Sequence, residues 1–165
     1  MTVLIDNRQN RIQLSTEQIR RAAQAVLNAL GSPEGELSVL LLDDAAIAEL
    51  NKQYLNRRGP TNVIAFPMGE GDFAEIQPEL LGDVVISLDT AAKEAKELET
   101  SLPERFRELL MHGILHLFGY DHETAEADAR TMEAKSEELL RKIREIAVEM
   151  QEGGGKENYH GRTRC

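Results

Sequence analysis

The chain has no tryptophan, aromatic residues make up only 4% of its 165 positions, and its single cysteine, Cys165, stands at the very end. One thiol cannot close an internal disulfide or build a cysteine-rich zinc knot. The core must therefore come from Leu, Ile, Val, Ala and Met, without covalent staples. No apolar run approaches the roughly 18 residues that a membrane span needs. Residues 1–14 (MTVLIDNRQNRIQL) lack the apolar centre of a signal peptide. The expectation is a cytoplasmic protein with no membrane partner.

Net positive charge is missing as well. The formal charge is −10, and an acidic surface repels nucleic acid at long range. That counts against a large basic footprint, though not against a local basic patch inside a cleft. What is present is ordinary for a folded domain: 41% apolar and 29% charged residues, in a length that suits one core. The last stretch, GGGKENYHGRTRC at 153–165, opens on three consecutive glycines and has no apolar pattern. It is expected to be a flexible tail, leaving residues 1–152 as a single domain.

Four short β-type runs stand out: TVLID at 2–6, LSVLLL at 37–42, NVIAF at 62–66 and GDVVISL at 82–88. Between them lie helical patterns. STEQIRRAAQAVLNALG has capping-box spacing at Ser15 and Gln18, an apolar stripe through Ile19, Ala23, Val26, Leu27 and Leu30, and a stop at Gly31. Asp43 or Asp44 can cap a short helix bearing Ile47, Leu50 and Tyr54, and Asp89 or Thr90 can cap one ending near Leu98. Ser101, Pro103 and Glu104 open a further helix, with Phe106, Leu109, Leu110, Gly113 and Leu117 as its buried face and Gly119 as its end. A last helix is expected over 124–150. The fold class is therefore α+β, one domain, with a small mixed sheet of about four strands flanked by about five helices. Strand order cannot be read from the pattern.

The chemistry concentrates in His112-Gly-Ile-Leu-His116-Leu-Phe-Gly119-Tyr-Asp-His122, which holds three of the four histidines. Residues four apart on a helix lie about 40° apart around its axis, so His112 and His116 can face one ion. Gly119 can adopt positive φ and turn the chain, letting His122 arrive from the following loop. Three imidazoles suit zinc, one ion per chain, and leave a coordination position for water, the pattern of a catalytic rather than a structural site. The spacing equals the metzincin protease framework, but Gly113 stands where that framework needs a glutamate base. Its absence argues against peptide hydrolysis. His160 falls in the tail and is assigned no role.

The string HGILHLFGYDH, preceded by PTNVIAFPM and LLGDVVIS, resembles the YbeY family of bacterial rRNA maturation factors over most of residues 37–150. The resemblance implies a small sheet flanked by helices, with zinc in a cleft on His112, His116 and His122. It also implies a metal-dependent endoribonuclease acting on single-stranded RNA. Its expected setting is maturation of the small-subunit rRNA 3′ end and ribosome quality control, with rRNA and the ribosome or its proteins as partners. Two departures stand out. Tyr54 is followed by Leu55, where the family commonly has an arginine, and Ala65 stands where a serine is usual.

Arg57 and Arg58, two and three positions after Leu55, are the candidates to take over that arginine's place and neutralise charge on a phosphate, since guanidinium matches phosphate geometry. The bland alternative is a solvated loop pair. Asp121 is either an orienting partner of an imidazole or a turn residue. Phe118 and Tyr120 are expected to pack rather than stack on a base. Thr61 and Asn62 are expected to shape a strand start, and Glu70 and Asp72 to be exposed carboxylates. Two rival functions stay open: a metalloprotease using another carboxylate as base, and a non-enzymatic ribosome-assembly factor with a structural zinc.

Overall fold

The computed structural model describes residues 3–68 and 80–119, together with Ala134, Glu137, Glu138 and Arg141, each helical. Among the described residues four strands form one sheet: β1 (Val3–Asn7), β2 (Glu36–Leu42), β3 (Val63–Pro67) and β4 (Leu80–Ser87). Their order is β1-β2-β4-β3. The first three in that row run parallel and β3 closes the edge antiparallel to β4. The sheet is therefore mixed, as expected, with β4 central and buried on both faces at Val84, Val85 and Ile86.

Among the described residues four helices surround it: α1 (Thr16–Ala29), α2 (Asp44–Leu55), α3 (Leu88–Glu97) and α4 (Leu102–Leu117). The alternation of side chains along each strand divides the core in two. Leu37, Val39, Leu41, Val84 and Ile86 face a large cluster with Val26, Leu27, Leu88, Leu110 and Ile114 from α1, α3 and α4. Leu42, Ile64 and Val85 face the other way, where Ile47 of α2 covers them. Three helices thus pack on one face and one on the other.

The helix starts follow capping chemistry. Ser15 Oγ accepts from Gln18 N–H and Ser101 Oγ from Glu104 N–H, both at 3.2 Å. Asp43 caps α2, accepting from Ala46 N–H at 2.9 Å. For α3 the expectation needs correcting: the N-cap is Ser87, earlier than Asp89 or Thr90, and it accepts from Thr90 N–H. The reason is tertiary. Ser87 is fully buried and its hydroxyl also donates to Asp44 Oδ1 at 2.6 Å. The strand therefore turns into the helix with no spacer. Of the last helix, placed over 124–150, Ala134, Glu137, Glu138 and Arg141 are described and helical; its other positions lie outside the described residues, as do the tail at 153–165 and Glu70 and Asp72.

Candidate functional site

The histidine helix α4 packs against β3 and β4, with α1 and α3 beside it. It buries Phe106, Leu109, Leu110, Met111, Gly113, Ile114 and Leu115. That is more than one amphipathic face, because the helix meets neighbours on several sides. Leu117 is only half-buried. Among the residues that stay partly open is a polar stripe: Arg105, Glu108, His112 and His116, all half-buried. At 100° per residue these four fall within about 80° of the helix circumference. The structure thus brings His112 and His116 onto one face, one turn apart, with both rings between solvent and core.

Gly113, beside His112, explains why the helix can lie so close to the sheet. A β-carbon there would come within 2.6 Å of Val84 Cγ1 and 3.2 Å of Val63 Cγ2. No side chain fits, least of all the glutamate that a zincin protease would carry at this position. After Leu117 the helix ends at Phe118, which packs against the main core, and Gly119 follows with φ +93°. That left-handed turn is the one expected to redirect the chain. His122, Tyr120, Asp121 and His160 lie outside the described residues. Among the described residues no group of three metal-ligating side chains converges.

Arg57 and Arg58 lie on the connection between α2 and β3, both exposed. Helix α2 ends with Asn56 in the left-handed region at φ 55°, its N–H bonded to Lys52 O, while Arg57 N–H donates to Asn51 O. Asn51 is 4% exposed, and its Nδ2 donates to Gly59 O at 2.9 Å. One buried residue therefore grips both sides of the arginine pair, Arg57 through its backbone carbonyl and Gly59 through its side-chain amide. Tyr54 sets its ring edge-on to Phe66 of β3, centroids 5.6 Å apart, which seats the end of α2 on the sheet. Leu55, in the place of the family arginine, is exposed. Arg58 lines a pocket of about 340 Å³ with Ala45, Ala48, Glu49, Lys52 and Gly59, and among the described residues no histidine borders it. Ala65 shares the sheet face of Val63, toward α4.

The far end of that connection does reach the histidine helix. Asn62 O accepts from Ser87 N–H at 3.0 Å, which starts the β3–β4 ladder as expected for a strand-shaping residue. Its side-chain Nδ2 donates to both carboxylate oxygens of Glu94 on α3, at 3.3 and 3.2 Å. Glu94 Oε1 in turn accepts from Arg105 Nε at 2.9 Å, and Arg105 Nη1 donates to Glu108 at 2.7 Å. Burial pushes the Arg105 guanidinium toward a lower pKa. Its hydrogen bonds to Glu108 and Glu94, with their charges, outweigh this and hold it above its ordinary value. Asn51, Glu94, Arg105 and Glu108 were not singled out from the sequence. Arg105 and Glu108 carried a usable signal, since they precede His112 by seven and four positions on the same helical stripe. Glu94 carried none, because its partners come from other elements.

The family model for Endoribonuclease YbeY matches residues 4–144. Endoribonuclease YbeY of Geobacter sulfurreducens is 51% identical over 85% of this chain and 94% of its own length. The protein of the same name from Aquifex aeolicus is 44% identical over 77% of this chain and 83% of its own. The solution structure of TM1509 from Thermotoga maritima superposes with a TM-score of 0.64 at 21% identity, covering 89% of this chain and 92% of that one. At that identity it speaks for the fold alone.

Proposed function

The chain belongs to the YbeY family, and from that premise we propose that it is a zinc-dependent endoribonuclease that cuts single-stranded RNA during rRNA maturation. The observation that carries the reading is the half-buried stripe on α4 with His112 and His116 one turn apart. The donor set fits a divalent ion: two imidazoles on one helix face, a left-handed turn at Gly119, and His122 three residues beyond it. When bound, zinc supplies a Lewis acid that polarises phosphate oxygens and lowers the pKa of water.

The chain's own residues have separate tasks. His112, His116 and His122 hold the ion. Arg57 and Arg58 meet the phosphate and offset charge that builds on it during cleavage. Their neighbour Lys52, on the wall shared with Arg58, adds a further cation along the strand's path. Single strands suit such a site because their backbone can bend into a cleft that a stiff duplex cannot enter. The seat of Gly113 on Val84 removes the base position of a zincin protease, which weighs against peptide substrates. No helix among the described residues is long and apolar enough to cross a membrane, and a cytoplasmic protein meeting rRNA and the ribosome is the setting we propose.

The test is a matched cleavage assay. Wild type and His116→Ala are incubated with single-stranded RNA, with metal content and circular dichroism measured on both. Loss of metal and of cleavage in a variant that keeps its fold is the expected result. Equal cleavage by both proteins would overturn the assignment. Metal-loaded wild type that cuts no RNA would do so too, in favour of an assembly factor whose zinc is structural.

A further inference from the structure

The connection that carries Arg57 and Arg58 is fastened at two points. At its start, Asn51 of α2 holds Arg57 N–H and Gly59 O. At its end, Asn62 is held by Glu94, which is itself clamped by Arg105 of α4. Pro60, with its φ fixed by the ring, stands between the two points. The second fastening differs in kind from the first. It runs from the arginine connection, through α3, to the helix that bears His112 and His116. Arg105 and Glu94 expose only 17% and 26% of their side chains, so the clamp is sheltered more than a surface ion pair, which would contribute little.

We infer that Glu94 and Arg105 are positioning residues that set the arginine connection at a fixed place relative to the histidine stripe. The inference deepens the nuclease reading and rests on it for its catalytic consequence. Neither residue touches substrate. Glu94 bridges two groups that must act together: an amide at the base of the phosphate-facing connection, and a guanidinium on the metal-facing helix. Glu108 completes the clamp, taking the guanidinium from the other side at 2.7 Å. With Glu94 removed, Asn62 loses its side-chain partner and Arg105 loses one of its two carboxylates. The ladder bond from Ser87 N–H to Asn62 O remains. The strand therefore keeps its start while the connection before it gains freedom.

Two measurements test this together. The first is limited proteolysis with trypsin, which cuts after Arg57 and Arg58. Glu94→Ala raises nicking there about 10-fold relative to nicking at Arg20 and Arg21 on α1, because local opening, not global unfolding, governs the rate. Glu97→Ala, an exposed neighbour on α3, leaves the ratio unchanged. The second is a double-mutant cycle on RNA cleavage. Glu94→Ala lowers kcat/KM about 30-fold in wild type, as expected when a reacting group is misplaced by a fraction of an ångström to an ångström. In an Arg57→Ala/Arg58→Ala background the same change costs less than about 2-fold, since the group it positions is gone.

Asn62→Ala, which leaves the Glu94–Arg105 pair intact, reproduces both results and decides the matter if Glu94→Ala does not fold. Losses that multiply across the cycle would overturn the inference, as would an unchanged nicking ratio. If metal-loaded wild type cuts no RNA, the nuclease reading falls, and the nicking ratio alone upholds or refutes the clamp.

Discussion

Replacing Gly113 by alanine tests where the histidine helix sits. In a helix exposed to solvent this change stabilises, because alanine is favoured over glycine by about 1 kcal/mol. Here a β-carbon would meet Val84 Cγ1 at 2.6 Å, and Val84 Cγ2 and Val63 Cγ2 at 3.2 Å. Val84 cannot swing aside, being β-branched, fully buried and part of the central strand. Overpacking of this kind costs about 1–3 kcal/mol. Set against the gain in propensity, the net is a loss of about 1 kcal/mol. For a chain of this size that lowers Tm by about 3 °C. The assay is thermal unfolding followed by circular dichroism, with the cycle closed by Val84→Ala. That second change alone opens a cavity and destabilises by about 2 kcal/mol. In its background Gly113→Ala turns neutral or stabilising, because the methyl now has room. A rise in Tm on Gly113→Ala in the wild-type chain would refute the seat of α4 on the sheet, and with it the steric argument against a protease base.

His116→Ala should abolish tight zinc binding while leaving the far-ultraviolet spectrum intact, since the ring is only half-buried; metal analysis after dialysis is the check. Asn51→Asp should destabilise by about 3 kcal/mol in a denaturant titration, because a carboxylate would be buried against Gly59 O with its donor gone, and a loss under about 1 kcal/mol would count against the grip on the arginine connection. The affinity for a single-stranded oligonucleotide should fall only gently with salt, with a log–log slope no steeper than about −2.1 for three phosphate contacts at Arg57, Arg58 and Lys52, and flatten in Arg57→Ala/Arg58→Ala. The Arg105 clamp should be insensitive to mild alkali. A cation whose folded pKa is raised contributes stability that is fully present below its unfolded value and is lost only as pH rises through the folded one. That window is strongly alkaline, so the Tm difference between wild type and Arg105→Met should stay constant from about pH 7 to about pH 10.

Most of the elements were legible because their signals are local. The strands follow runs of β-branched and aliphatic residues, and the caps at Ser15, Asp43 and Ser101 are hydrogen bonds between residues three apart. The cap at Ser87 was misread because its preference is set by Asp44, forty-three positions away, which takes the serine hydroxyl. The strand order was not legible for a similar reason: β3 precedes β4 in sequence yet lies at the sheet edge beyond it. The apolar face expected for α4 was too narrow, since a stripe argument assumes one buried side, whereas this helix also buries Met111, Ile114 and Leu115.

The candidate site divides along the same line. A donor pair at i, i+4 on a helix is a local arrangement, so His112 and His116 could be placed from spacing alone. The arginines could be named but not located, because their position is decided by Asn51 on one side and by Glu94 and Arg105 on the other. Glu94 reads as an unremarkable surface carboxylate on an amphipathic helix, three positions from Glu97, which is one. Only the fold separates them. β4 carries α3 alongside α4 while β3 pairs beside it, so Asn62 of one element meets the carboxylate of a second and the guanidinium of a third. On the proposed reading, cleaving a phosphodiester would require the arginines that meet the phosphate and the histidines that would hold an ion to keep a constant separation. A chain with two arginines on an otherwise exposed connection gains that constancy from a tertiary clamp, which has no signature in any single segment.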